Sequence, residues 1–169
     1  MDVSIVSENW IWFGIAAVGF AILFNVPRRT LLPIFVMAAL GGTIKLVLLQ
    51  YQLNVVLCTL CAAVLVGFLS IYAAHFRHSP PFVFAIPAVI PMVPGSYAYH
   101  TMKGVINLSN MVNTNMFNEL LYSTVSYGLK TMFVLLALSV GVFAPMLITR
   151  RNSAKEINIW LPSVKIRKK

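Results

Sequence analysis

Acid is what this sequence has least of. Four Asp and Glu stand among 169 residues, against thirteen Lys and Arg, and charged residues make up only 10%. Hydrophobic residues make up 59%. An ordinary soluble domain carries about a quarter of its residues as charges, so that class is excluded. The chain reads as an integral membrane protein. The acids are Asp2, Glu8, Glu119 and Glu156, and none falls within the apolar stretches before residue 108. Intramembrane carboxylates are the usual proton or sodium relays. Without one, ion coupling would need His100 or a partner subunit as the titrating group.

Other absences narrow the function. There is no glycine-rich loop to cradle phosphates, which excludes an ATPase. No nucleophile stands paired with a base, so the chain does not read as an enzyme, and no cofactor or metal is expected. The two cysteines, Cys58 and Cys61, form a C-x-x-C inside an apolar run. Redox and metal motifs need exposed thiols and further ligands. Two small apolar residues on one helix face is the better reading. The net charge of +9 does not point to nucleic acid, because the positive residues sit between apolar runs and in the tail. The start carries Asp2 and Glu8 where a cleavable signal peptide has a basic region, so none is expected.

What is present is a series of apolar stretches. About twenty apolar residues cross a bilayer as a helix. The runs predict an all-α integral membrane protein with five transmembrane helices, at about 9–26, 30–49, 55–76, 82–107 and 120–149. Trp10, Trp12 and Phe13 open the first as interfacial aromatics, and Arg28 and Arg29 close it. Lys45 lies near the far end of the second and is expected to snorkel to the interface. Ala63 and Gly67 in the third form a small-xxx-small pair that lets helices approach. His75, Arg77 and His78 read as interfacial polar residues. Residues 108–119 read as a polar loop, with Met111 and Val112 on a short interfacial helix. The fifth is longer than a crossing needs, and Lys130 is expected to snorkel outward.

Residues 150–169 carry seven Lys or Arg and one Glu. Such a segment reads as a cytoplasmic tail attracted to anionic lipids. Five spans put ten of the thirteen positive residues on the side of that tail. The positive-inside rule then sets the N-terminus outside and the C-terminus in the cytoplasm.

The fourth span is the one the rest is organised around. Pro87, Pro91, Pro94 and Gly95 fall within nine residues. Proline removes a backbone donor and clashes with the preceding turn, so the span is predicted to break between Pro91 and Gly95. At membrane depth, freed backbone groups survive only in protein or beside a wet cavity. A helix restarting at Gly95 has free N–H groups and a positive dipole end, which suit an anion. Ser96, Tyr99 or His100, Lys103 and Asn107 then follow at helical spacing. A hydroxyl, an imidazole and an ammonium fit a small organic acid. Pro91, Pro94, Gly95, Ser96, Tyr99, His100 and Lys103 are the candidate substrate-binding residues. Lys103 is about 12 Å along the helix from Gly95, too far for one small diacid to bridge, so it would steer anions.

Two elements carry a resemblance: Phe24-Asn25-Val26-Pro27-Arg28, and Ile90-Pro91-Met92-Val93-Pro94-Gly95 with Tyr99 beyond. Together they resemble the ThrE-type threonine/serine exporter family, over about residues 16–151. Asn25, Pro27, Pro91, Pro94, Gly95 and Tyr99 match its motif positions. The likeness is to the family's short, separate-subunit form. It implies a multi-pass protein of the bacterial inner membrane that works with a larger membrane subunit of the YjjP type. It implies export of small organic acids, succinate for the two-subunit form and threonine or serine for the fused form, in which this region is the C-terminal half. The rival class is a non-transporting scaffold for the larger subunit.

Overall fold

The computed structural model describes residues 3–110 and 117–153, and the side chains of 9–110 and 117–149. Every regular element among them is helical. The α-helices are α1 (Val3–Leu23), α2 (Leu31–Gln50), α3 (Val55–Arg77), α4 (Phe82–Val89), α5 (Gly95–Asn110) and α6 (Phe117–Ser153). Short 3₁₀ turns at Arg28–Thr30 and Ile90–Met92 join α1 to α2 and extend α4.

Three helices are long and apolar enough to cross a bilayer: Arg28–Gln50, Val55–Arg77 and Phe117–Thr149. Phe82–Met92 and Gly95–Asn110 form a fourth if the bent pair is one span. The apolar stretch Asn9–Leu23 is shorter. The fold is therefore that of a multi-pass helical membrane protein.

The first inter-helix turn explains one of the two sequence motifs. Asn25 adopts φ 54, in the left-handed region that Asn tolerates better than most residues. Its N–H donates to the Ile22 carbonyl, and the Val26 N–H donates to the Ala21 carbonyl, both at 3.0 Å. This pair of bonds closes the last turn of α1 as a Schellman motif. Pro27 then prevents continuation. Thr30 donates its hydroxyl back to the Pro27 carbonyl at 2.7 Å. Asn25 and Pro27 thus stop a helix and turn the chain, away from the break in the fourth stretch.

Helix packing is set by small residues. Little hydrophobic force joins helices in lipid, so close backbone approach matters. A Cβ on Gly141 would sit 2.6 Å from the Ala63 Cβ, and one on Gly67 would sit 3.0 Å from the Gly141 carbonyl oxygen. The Ala63/Gly67 pair therefore forms the seam between α3 and α6, which run parallel. Gly141→Ala is expected to destabilise by about 1–3 kcal/mol through overpacking. The thermal midpoint of the detergent-solubilised protein should fall accordingly. Phe13 of α1 covers Gly42 of α2, and Phe35 of α2 covers Gly14 of α1.

α4 occupies the centre, packed against α1, α2 and α3. Phe84, Ala85, Pro87, Ala88 and Met92 are buried there. α5 leaves this bundle and packs mainly on the first half of α6. Gly104 faces Thr124, and Gly128 faces Thr101, so these two helices are antiparallel.

Two expectations change. Residues 108–110 and 117–119, expected in a polar loop, belong to α5 and α6. The expected interfacial helix through Met111 and Val112 lies outside the described residues, as does the basic tail beyond Ser153. α6 is one 37-residue helix that keeps Pro145 inside it. At 1.5 Å per residue that is roughly 55 Å, nearly twice the hydrocarbon thickness of a bilayer.

Candidate functional site: the broken helix

The chain bends by 57° between Phe82–Met92 and Gly95–Asn110. The cause is backbone chemistry. Pro91 and Pro94 are the residues whose N–H groups would serve the carbonyls of Pro87 and Ile90 in a continuous helix. The Ile90 carbonyl instead accepts from the Val93 N–H at 3.0 Å, tightening the chain into a 3₁₀ turn. Val93 is extended, with φ −60 and ψ 135. α5 then restarts at Gly95.

The Met92 carbonyl would bond to the Ser96 N–H if the helix continued. It accepts from the Lys45 ammonium at 2.7 Å instead. This corrects the expectation that Lys45 snorkels to the interface. The half-buried side chain reaches across from α2 and is tied to the break, 47 residues away in sequence. Lys45 is the residue at the break that sequence reasoning missed. The available signal was an intramembrane lysine with no acid nearby in the spans, which must find a carbonyl or water.

The restarting end of α5 is partly satisfied. The Gly95 N–H donates to the Val93 carbonyl at 2.9 Å, and the Ala98 N–H to the Pro94 carbonyl at 3.2 Å. The N–H groups of Ser96 and Tyr97 are left without intrahelical acceptors. Any anion at this end would therefore meet two N–H groups, and Gly95 would not be among its donors. Pro94 is buried, Pro91 is half-buried, and a Cβ on Gly95 would meet nothing within 4 Å. A cleft of about 290 Å³ lies beside the break, lined by Asn9, Trp12, Phe13, Ala16 and Pro91. That is near the small end of ligand pockets, roughly 300–1,000 Å³.

The polar residues beyond the break face outward. Ser96, Tyr99, His100 and Lys103 are all exposed on this chain, and Asn107 with them. His100 alone of the four candidates engages another helix. Its ring stacks on Tyr127 of α6, with centroids 5.2 Å apart. Tyr97 stacks on the same tyrosine at 6.1 Å, and the Lys130 ammonium lies 5.9 Å from its ring centre. Lys130, expected to snorkel outward, is exposed, with its ammonium near the α5–α6 aromatics. The structure gathers His100 into this cluster and leaves Ser96, Tyr99 and Lys103 on open surface.

The remaining polar groups are dispersed. Cys58 is buried and Cys61 exposed, both free. Their faces differ, unlike the shared face expected. His75, Arg77 and His78 are exposed at the end of α3. His78 adopts φ 49 as its left-handed cap and donates its N–H to the Ala74 carbonyl.

A helical bundle with a discontinuous helix at its centre is an arrangement that secondary transporters use around their substrates. Comparison with known proteins gives that class a family. Residues 9–148 match the family described as threonine/serine exporter, ThrE. The chain belongs to that family. An uncharacterised protein of Haemophilus influenzae is 33% identical over 144 residues, which are 85% of this chain and 48% of that protein. The chain spans about half the length of this relative. No solved structure matches.

Proposed function

We propose that the chain is one subunit of a secondary exporter of small carboxylate-bearing metabolites in the bacterial inner membrane. Its substrate is a succinate-type dicarboxylate, and it acts with a larger membrane subunit of the YjjP type. The observation that carries this reading is the break itself. Two N–H groups without helical acceptors stand at the positive end of a restarting helix, beside a lysine-held carbonyl. A carboxylate suits that end without needing a charged side chain. A second reading, export of threonine or serine, is favoured by the family's description. Both substrates present the carboxylate that the break would bind.

The test is efflux from cells preloaded with labelled succinate or threonine. Cells lacking this chain should lose efflux of one of them, and restoring the chain with its partner should recover it. Full-rate efflux from the partner alone would reduce this chain to a scaffold.

The five-span arrangement, with α1 as the first span and the C-terminus cytoplasmic, belongs to the same proposal. Reporter fusions after Gln52 and after Ser79 should read outside and inside respectively. The reverse pattern would overturn it.

Lys103 serves entry or release in this scheme. It stands eight residues beyond Gly95 on the continuous helix α5, about 12 Å along its axis. Lys103→Gln should lower the export rate a few-fold and flatten its salt dependence, with substrate affinity nearly unchanged. Efflux measured over a range of ionic strengths checks this.

A further inference from the structure

Two side chains of α5 and two of α6 meet within the first two turns after the break. Tyr97 and His100 stand three positions apart on α5, and Tyr127 and Lys130 three apart on α6. Each pair therefore lies on one face of its helix. The helices are antiparallel, with Gly104 against Thr124 and Thr101 against Gly128, and the two faces come together. The rings of Tyr97 and Tyr127 stack with centres 6.1 Å apart, and His100 stacks on Tyr127. The Lys130 ammonium lies 6.0 Å from the Tyr97 ring centre and 5.9 Å from that of Tyr127, equidistant from both.

Lys130 falls inside Phe117–Thr149, a helix long and apolar enough to cross a bilayer. A cation in such a stretch is costly and marks a path for substrates or ions. Glu119 is the one acid among the described side chains, eleven positions earlier on α6 and roughly 16 Å away along its axis. Two ring faces at the outer limit of cation–π attraction orient the ammonium and leave its charge uncompensated. Its three N–H donors stay available to an anion.

The place of this cation relative to the break decides which anion fits. The register of α5 on α6 sets Lys130 level with Ala98 and Tyr99. That is about 5 Å beyond Gly95 along the axis, against about 12 Å for Lys103. Tyr97 joins the two places: its N–H is one of the two free donors, and Lys130 stands by its ring. A four-carbon diacid has three C–C bonds of about 1.5 Å, with a charge-assisted hydrogen bond of about 2.8 Å at each end. It reaches from the break to Lys130 and falls short of Lys103.

We propose that Lys130 binds the second carboxylate of a four-carbon dicarboxylate whose first carboxylate lies on the Ser96 and Tyr97 N–H groups. The inference rests on the exporter reading above and names the residue that sets its substrate class. Threonine and serine carry an ammonium beside their carboxylate, and Lys130 repels it.

The test is uptake of labelled succinate by inside-out membrane vesicles, in which export runs inward, with unlabelled succinate or succinamate as competitor. Succinamate keeps one carboxylate and carries an amide in place of the other. Wild-type vesicles should prefer succinate by about tenfold or more, the effect of one charged hydrogen bond. Lys130→Met and Lys130→Gln should raise the KM for succinate by about that factor and leave inhibition by succinamate within about twofold, so that the preference disappears. Lys130→Arg keeps the charge and should keep the preference. Membrane levels of all three variants are measured alongside, and two neutral replacements guard against one that fails to insert. An unchanged preference in the neutral variants would overturn the subsite and leave the exporter reading standing. Equal weakening of both competitors would do the same, making Lys130 a support of the helix pair. Wild-type vesicles that take up threonine and no succinate, or neither, would overturn the dicarboxylate reading and the subsite with it.

Discussion

Lys45→Met is expected to cut export at least tenfold while the protein still reaches the membrane. The ammonium donates to the Met92 carbonyl at the point where the helix stops. A hydrogen bond from a charged group contributes about 1.5–3 kcal/mol, and a buried acceptor left unsatisfied costs a comparable amount. Methionine keeps the volume and removes the donor. The break would then lose the one contact that ties it to α2 through a charge, and alternative arrangements of the 3₁₀ turn would compete. A shift of about 1.4 kcal/mol between two arrangements is a tenfold change in population. Lys45→Arg keeps a donor on a longer arm and should retain measurable export. Membrane levels and efflux, measured together on both variants, check the expectation. Wild-type export from Lys45→Met would show that the carbonyl finds another donor and that Lys45 has no part in holding the break.

The contrast between Lys45 and the prolines explains what the sequence could reveal. A proline acts on its own backbone and the turn before it, so Pro91 and Pro94 announce a break wherever the helix lies. The same holds for Asn25 and Pro27, which stop α1 through bonds no more than five residues long. Small residues three and four apart likewise mark a close seam, as Ala63 and Gly67 do against Gly141. Lys45 is different. Near a helix end its side chain has two destinations, the interface or a carbonyl. Only the packing of α2 against the broken span decides between them. At the two flanks of the Asn- and Thr-rich stretch, 108–110 and 117–119, the loop expectation reached too far for a related reason. Polar residues favour loops, yet antiparallel pairing of α5 with α6 around Gly104 holds both flanks helical. Helical spacing also grouped Ser96, Tyr99, His100 and Lys103 on one face. Spacing carries no information about what covers a face, and on this chain Ser96, Tyr99 and Lys103 lie on open surface while His100 stacks on Tyr127.

Gly95→Leu should abolish export, by about 100-fold or more, without harming the fold. Three observations make the substitution clean. No backbone φ at any described glycine is positive, so a side chain here is unstrained. A Cβ at this position meets no atom within 4 Å, so the isobutyl group projects into open space. Leucine is also the better helix former, by nearly 1 kcal/mol relative to glycine in a helix interior, so α5 should not weaken. What changes is access. The side chain would stand before the N–H groups of Ser96 and Tyr97, the donors left without acceptors at the restart of the helix. A carboxylate could then neither reach both donors nor sit on the helix axis, where the dipole favours it. Gly95→Ala should keep most activity, because a methyl group is too short to screen both donors. The decisive comparison is with Lys45→Met. The leucine variant should lose substrate binding with its thermal midpoint unchanged or raised, whereas the methionine variant should lose stability as well. Normal export from Gly95→Leu would remove the anion from this end of the helix. Unfolding of that variant would instead show that the space around Gly95 is filled by another chain in the working assembly.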